Sequence, residues 1–142
     1  MTVTSEATTV WKGGLFDGSG ETTFVSSGLG TFPVNWKARS EGSTSVTTPE
    51  ELIAAAHAAC FSMALSHALA QEGSPPERLE ATATVTFVPG TGITKSALTV
   101  RANVPGMDEA TFLEKAEAAR VGCPVSKALA AVPEITLDAA LA

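Results

Sequence analysis

Thr48-Pro49-Glu50-Glu51-Leu52-Ile53-Ala54-Ala55-Ala56-His57-Ala58-Ala59-Cys60-Phe61-Ser62-Met63-Ala64-Leu65 is the stretch from which the rest of the chain is placed. Thr48 has the chemistry of an N-cap, and Pro49 suits the first helical position. Glu51 completes a capping box, and both acids favour the positive end of the helix dipole. The pattern predicts a helix to about Gln71, stopped by Gly73-Ser74-Pro75-Pro76. From Leu52 to Ala70 there are 19 residues without a charge, the length of a membrane span. Eight of them are Ala, two His and two Ser, and no Lys or Arg flanks either end, so no membrane is expected. A helix apolar nearly all round is buried in a core or an interface.

Upstream, short β-prone segments alternate with turns. Thr8–Trp11, Glu21–Ser26 and Thr31–Ala38 read as strands, with a hairpin-like turn at Asp17-Gly18-Ser19-Gly20 and a loop over Ser40–Ser45. Downstream, Leu79–Val88 alternates as a half-buried strand, Pro89-Gly90-Thr91-Gly92 turns, and Ile93–Val104 returns. Asp108–Arg120 has helical period, Cys123-Pro124 opens a short helix to about Ala131, and Glu134–Asp138 is a last strand. The order β-β-β-α-β-β-α-α-β, with strands in hairpins, predicts an α+β fold. The 142 residues are read as one domain, 1–142, large enough to bury roughly 70% of the unfolded chain's surface. With 44% hydrophobic and 17% charged residues the chain is globular, and a net charge of −6 argues against nucleic acid. Met1–Glu6 has neither a basic nor an apolar run, so no signal peptide is expected and a cytoplasmic location follows.

In a reducing compartment two cysteines are more often catalytic, redox-sensing or simply buried than a structural disulfide. Cys60 lies three turns into its helix, beyond help from the dipole, and is either a core thiol or a reactive one held ionised by an external cation. Cys123, before Pro124 at a helix start, has the better local case for a thiolate. His57, three residues before Cys60, reads as a packed core histidine, with a Cys–His dyad or half a metal site as alternatives. No CxxC or HExxH spacing is present, so no metal is expected. Arg39 and Glu50 read by default as surface or capping residues. Glu50 precedes Cys60 by ten residues, about 15 Å along one helix, so the two could meet only across a dimer interface.

Thr48–Leu52, Ala55–Ala64 and Gly122-Cys123-Pro124-Val125-Ser126 together resemble the OsmC/Ohr family of thiol-dependent hydroperoxide reductases, the OsmC branch more than the Ohr branch. The resemblance extends to the Trp11 strand, Val104-Pro105-Gly106 and Glu134–Leu137. It implies an intertwined α+β homodimer, long central helices wrapped by antiparallel sheets, with active sites at the subunit interface. By the same resemblance Cys60 is the peroxidatic cysteine and Cys123 the resolving one, joined in a disulfide after a Cys60 sulfenic acid. Dithiols, lipoylated proteins among them, would reopen it. Arg39, in Lys37-Ala38-Arg39-Ser40-Glu41-Gly42, matches the arginine that the OsmC branch sets beside the thiolate, and Glu50 the acid that orients it. The Ohr branch takes its arginine from near residue 19, where this chain has Gly18-Ser19-Gly20. The dipole favours Cys123 as the more acidic thiol, whereas the resemblance assigns the attack to Cys60, since a nearby guanidinium can outweigh a helix terminus.

The expected activity is cofactor-free, metal-free reduction of organic hydroperoxides, with hydrogen peroxide as a second substrate and an apolar lining of Phe61, Met63 and Trp36 around Cys60. The alternatives are a redox sensor without turnover and a small-ligand-binding module on the same fold. Steady-state peroxide consumption with a dithiol separates the enzyme from the sensor. A Cys60→Ser variant that binds ligand and matches wild type in every assay would favour the binding module.

Overall fold

The computed structural model describes all 142 residues, which divide into two compact units, Met1–Pro49 and Glu50–Ala142. In the first, β1 (Ala7–Lys12), β2 (Ser19–Phe24) and β3 (Thr31–Val34) form an antiparallel sheet in the order β1-β2-β3. The β1–β2 turn is closed by the Gly14 N–H donating to Asp17 Oδ1 (3.0 Å) and the Gly18 N–H donating to the Gly14 carbonyl (2.9 Å). A Cβ on Gly18 would lie 2.3 Å from that carbonyl oxygen, so only glycine fits.

The third strand is shorter than its sequence suggests. It ends at Val34, and Trp36–Glu41 forms a helix, α1, in place of the expected strand end and loop start. The cause is Asn35, an N-cap whose Oδ1 accepts the Ala38 N–H at 2.8 Å. Gly42, at φ 89°, stops the helix after one and a half turns, a conformation that glycine takes without strain.

The second unit is built on α2 (Pro49–Gln71), which ends as expected. Gly73 (φ 81°) donates to the Ala70 carbonyl and Ser74 to the Leu69 carbonyl, the paired bonds of a Schellman stop. β4 (Arg78–Val88) and β5 (Gly92–Asn103) are an antiparallel hairpin with a bulge at Thr86/Phe87. α3 (Glu109–Gly122) and α4 (Pro124–Ala128) then carry the chain to β6 (Glu134–Leu141). β6 runs parallel to β5, so this sheet is mixed rather than antiparallel throughout. Two parallel neighbours need a long crossover, and α3 with α4 supplies it. The α+β class expected from the sequence holds, with α1 as the added element.

The core of this unit follows two periods. On β5, Ser96, Leu98, Val100 and Ala102 alternate inward. On α2, His57, Phe61, Leu65 and Leu69 recur every fourth residue on one face, and α3 adds Phe112, Ala116 and Ala119. By length and composition α2 could span a membrane (23 residues, mean hydropathy 1.5), but its Phe61-Leu65-Leu69 face belongs to this core. Its opposite face is apolar too: Ala55, Ala59 and Met63 are exposed, Met63 by 72%.

Leu65→Ala is expected to cost about 2–5 kcal/mol, read as a lower denaturation midpoint, because it empties a fully buried site. Glu114→Ala, on the exposed side of α3, should stay within about 0.5 kcal/mol of wild type in the same titration.

Candidate active site

The site grows from one junction. Cys123 closes α3, donating its N–H to the Ala119 carbonyl (3.0 Å), and also serves as N-cap of α4. The pre-proline position drives this double role: Pro124 excludes helical geometry at Cys123, which sits at φ −64°, ψ 139°. The side chain turns back so that Cys123 Sγ accepts the Ser126 N–H at 3.3 Å and lies 3.1 Å from Ser126 Oγ. The sequence placed Cys123 at the start of a helix reaching about Ala131. The helix holds only five residues, so what Cys123 meets is one specific amide and one hydroxyl rather than the field of a long dipole.

Cys60 faces this junction from α2. Its thiol interacts with the Cys123 side chain and with the Val125 backbone amide, so the structure brings the two cysteines together as free thiols. Pro124 has no N–H, and the next two amides of α4 divide between the sulfurs: Val125 toward Cys60, Ser126 toward Cys123. Burial pushes the Cys60 pKa up, and the Cys123 sulfur beside it adds to the rise, while the Val125 amide favours the thiolate. Within this unit the balance holds Cys60 protonated, which is the condition under which a reactive thiolate needs a cation.

His57 does not form a dyad with Cys60. Its ring is fully buried, with Nδ1 2.6 Å from Ser96 Oγ on β5 and Nε2 2.8 Å from Ser126 Oγ on α4. Burial holds its pKa below the usual histidine value. Ser96 and Ser126 were not among the residues singled out in the sequence. Ser96 had a signal: it is the one polar residue in the inward set 96-98-100-102 of β5. Ser126, three residues after Cys123, stands at the third position of the helix that Cys123 caps.

The other two expected residues belong one to each unit. Glu50 is in the first turn of α2, 6% exposed and almost three turns before Cys60. Arg39 is in the last turn of α1, in the first unit. The residues of the expected apolar lining divide between the units, Trp36 in the first and Phe61 and Met63 in the second. Phe61 is fully buried in the core and opens on no surface. Trp36 packs edge-on against Phe16 within the first unit, ring centroids 5.9 Å apart. No three His, Cys, Asp or Glu side chains gather as a metal site would require.

Comparison with known proteins bears on this geometry. Residues 41–138 match the family described as OsmC-like protein. The chain is 43% identical to Peroxiredoxin OsmC of Escherichia coli over 141 residues, 97% of this chain and 96% of that protein. Among solved structures it is similar to an organic hydroperoxide resistance protein OsmC of Legionella pneumophila, with TM-score 0.72, 25% identity and 99% and 98% of the two chains covered. It is also similar to the organic hydroperoxide resistance protein OhrB of Bacillus subtilis, with TM-score 0.67, 27% identity and 97% and 98% covered. A family match over most of the chain and a relative this similar along nearly its whole length place the chain in the OsmC family.

Proposed function

We propose that Cys60 is the attacking thiol and Cys123 the resolving thiol of this enzyme, a thiol-dependent peroxidase of the OsmC family, acting on organic hydroperoxides. The observation that carries the proposal is the pairing of the two thiols, one from α2 and one from the α3–α4 junction. The Cys60 thiolate attacks the distal oxygen of ROOH, the O–O bond breaks, and the alkoxide takes a proton to leave as ROH. Cys60 is left as a sulfenic acid, two electrons more oxidised. Cys123 then displaces hydroxide from it to form the Cys60–Cys123 disulfide, and a dithiol, such as that of a lipoylated protein, returns both thiols by exchange.

Arg39 supplies the cation that Cys60 requires and Glu50 orients it. Two facts support this: the direction of the Cys60 pKa within its own unit, and the resemblance of both positions to the OsmC pattern. The working form is an intertwined homodimer in the cytoplasm, with residues 1–142 as one domain. Its support is the outward apolar face of α2, with Ala55, Ala59 and Met63, together with Val10 (57% exposed), Phe16 (81%) and Leu29 (80%) of the first unit.

Cys60→Ser should reduce dithiol-dependent consumption of cumene hydroperoxide to the uncatalysed rate. Cys123→Ser should release one equivalent of alcohol and then stall with Cys60 as an accumulating sulfenic or sulfinic acid. Full turnover in Cys123→Ser would mean that Cys60 is resolved by another thiol. Arg39→Ala should move the pH midpoint of Cys60 alkylation up by about one to three pH units, the range for loss of an adjacent opposite charge. An unchanged midpoint would remove Arg39 from that role.

A further inference from the structure

The two-cysteine cycle leaves one proton unassigned. When Cys123 attacks the Cys60 sulfenic acid, its S–H proton has to go somewhere, and the sulfur is fully buried. Its hydroxyl partner is Ser126 Oγ at 3.1 Å, and the next along is His57 Nε2, 2.8 Å from that hydroxyl. The chain ends at Ser96 Oγ, 2.6 Å from His57 Nδ1. Cys123, His57 and Ser96 have no exposed surface and Ser126 has 6%, so these are fixed contacts. An imidazole joined at both nitrogens by hydroxyls is more than a core needs: the Leu and Phe around it fill space without any desolvation cost.

We propose that Ser126 and His57 form the proton relay for Cys123, with Ser126 as a catalytic residue touching the attacking sulfur and His57 as the positioning residue that receives the proton through it. This rests on the assignment of Cys123 as the resolving thiol. The Ser126 O–H donates to the unprotonated Nε2, and the Nδ1–H donates to Ser96 Oγ. As the S–S bond forms and the Cys60 S–O bond breaks, the Cys123 proton passes to Ser126 Oγ and the Ser126 proton to Nε2. The departing hydroxide takes a proton from water, and the imidazolium later returns one to solvent. The sum is Cys60–SOH plus Cys123–SH giving disulfide plus water. The Cys60 sulfur is reduced and the Cys123 sulfur oxidised by one unit each.

Burial serves the relay by lowering the His57 pKa, so the ring is unprotonated and able to accept near neutral pH. The groups facing it are few. Cys123 and Cys60 are the titratable side chains of the network. On α2 the acid of the same face is Glu50, seven residues and about 10.5 Å of rise earlier. On β5, Lys95 next to Ser96 pairs with Glu134 at 4.0 Å, and on α4 Lys127 next to Ser126 is exposed.

The test is single-turnover kinetics with the full-length protein and cumene hydroperoxide, following Cys60 sulfenic acid by dimedone trapping and disulfide by loss of free thiol. His57→Gln keeps hydrogen-bonding capacity but cannot take a proton. It should form sulfenic acid at the wild-type rate and close the disulfide about 100-fold more slowly, the low end of what a positioned acid–base group supplies. In wild type, closure should be nearly flat around neutral pH and fall only at a pH below the ordinary histidine value, as His57 becomes protonated. In His57→Gln it should instead climb with pH, following the free thiolate. Ser126→Ala should show the same slow, climbing closure and Ser126→Thr should restore the wild-type profile, which keeps the test decisive if His57→Gln does not fold. Wild-type closure with an unchanged rate and pH profile in His57→Gln or Ser126→Ala would overturn the relay alone. Absence of any Cys60–Cys123 disulfide in the wild type would overturn both the relay and the cycle on which it rests.

Discussion

The packing of one turn of α2 against the junction of α3 and α4 is the constraint on which the chemistry depends. Phe61 and Cys123 belong to the same buried core, and Cys60, next to Phe61, is carried to Cys123 by that packing. Neither cysteine is positioned by a flexible loop. Cys60 is fixed by a 23-residue helix anchored through Phe61, Leu65 and Leu69, and Cys123 by the break that Pro124 imposes between two helices. The parallel β5–β6 pairing makes the junction necessary, because the chain must cross over the sheet between these strands.

The same burial that fixes the site sets its electrostatic problem. A thiol in low dielectric beside a second sulfur resists ionisation, and one backbone amide only partly offsets this. A fold that needed only a packed core would place an aliphatic side chain at position 60. Keeping a thiol there is sensible if a cation reaches it when peroxide is to be reduced. Histidine does not fill that role: His57 is turned toward Ser96 and Ser126 and is itself held unprotonated by burial.

Much of this was legible in the sequence because strong local signals agreed with the tertiary outcome. The capping sequence at Thr48–Glu51 and the glycine-proline stop after Gln71 mark both ends of α2, and the alternation in Leu79–Val88 gives β4 to within a residue. Asn35 was a cap signal hidden in a β-prone run, so α1 was read as strand and loop. The parallel pairing of β6 is a non-local choice that no short pattern encodes. Both cysteines were legible by motif, but their pairing joins residues sixty-three positions apart and rests on packing. Ser96 and Ser126 escaped because serine at an inward position looks, in one dimension, like any small polar residue. Arg39 and Glu50 were reached through resemblance alone, since capping and surface pairing explain each of them locally.

The central claim is that Cys60 and Cys123 are the two halves of one redox centre. The most direct measurement is the intact mass of the protein after one equivalent of cumene hydroperoxide without reductant, followed by peptide mapping. The account predicts the loss of two hydrogens and a crosslinked peptide pair joining Cys60 to Cys123. An unchanged mass, with both thiols still open to alkylation after unfolding, would contradict it and leave the two cysteines as residues of the core.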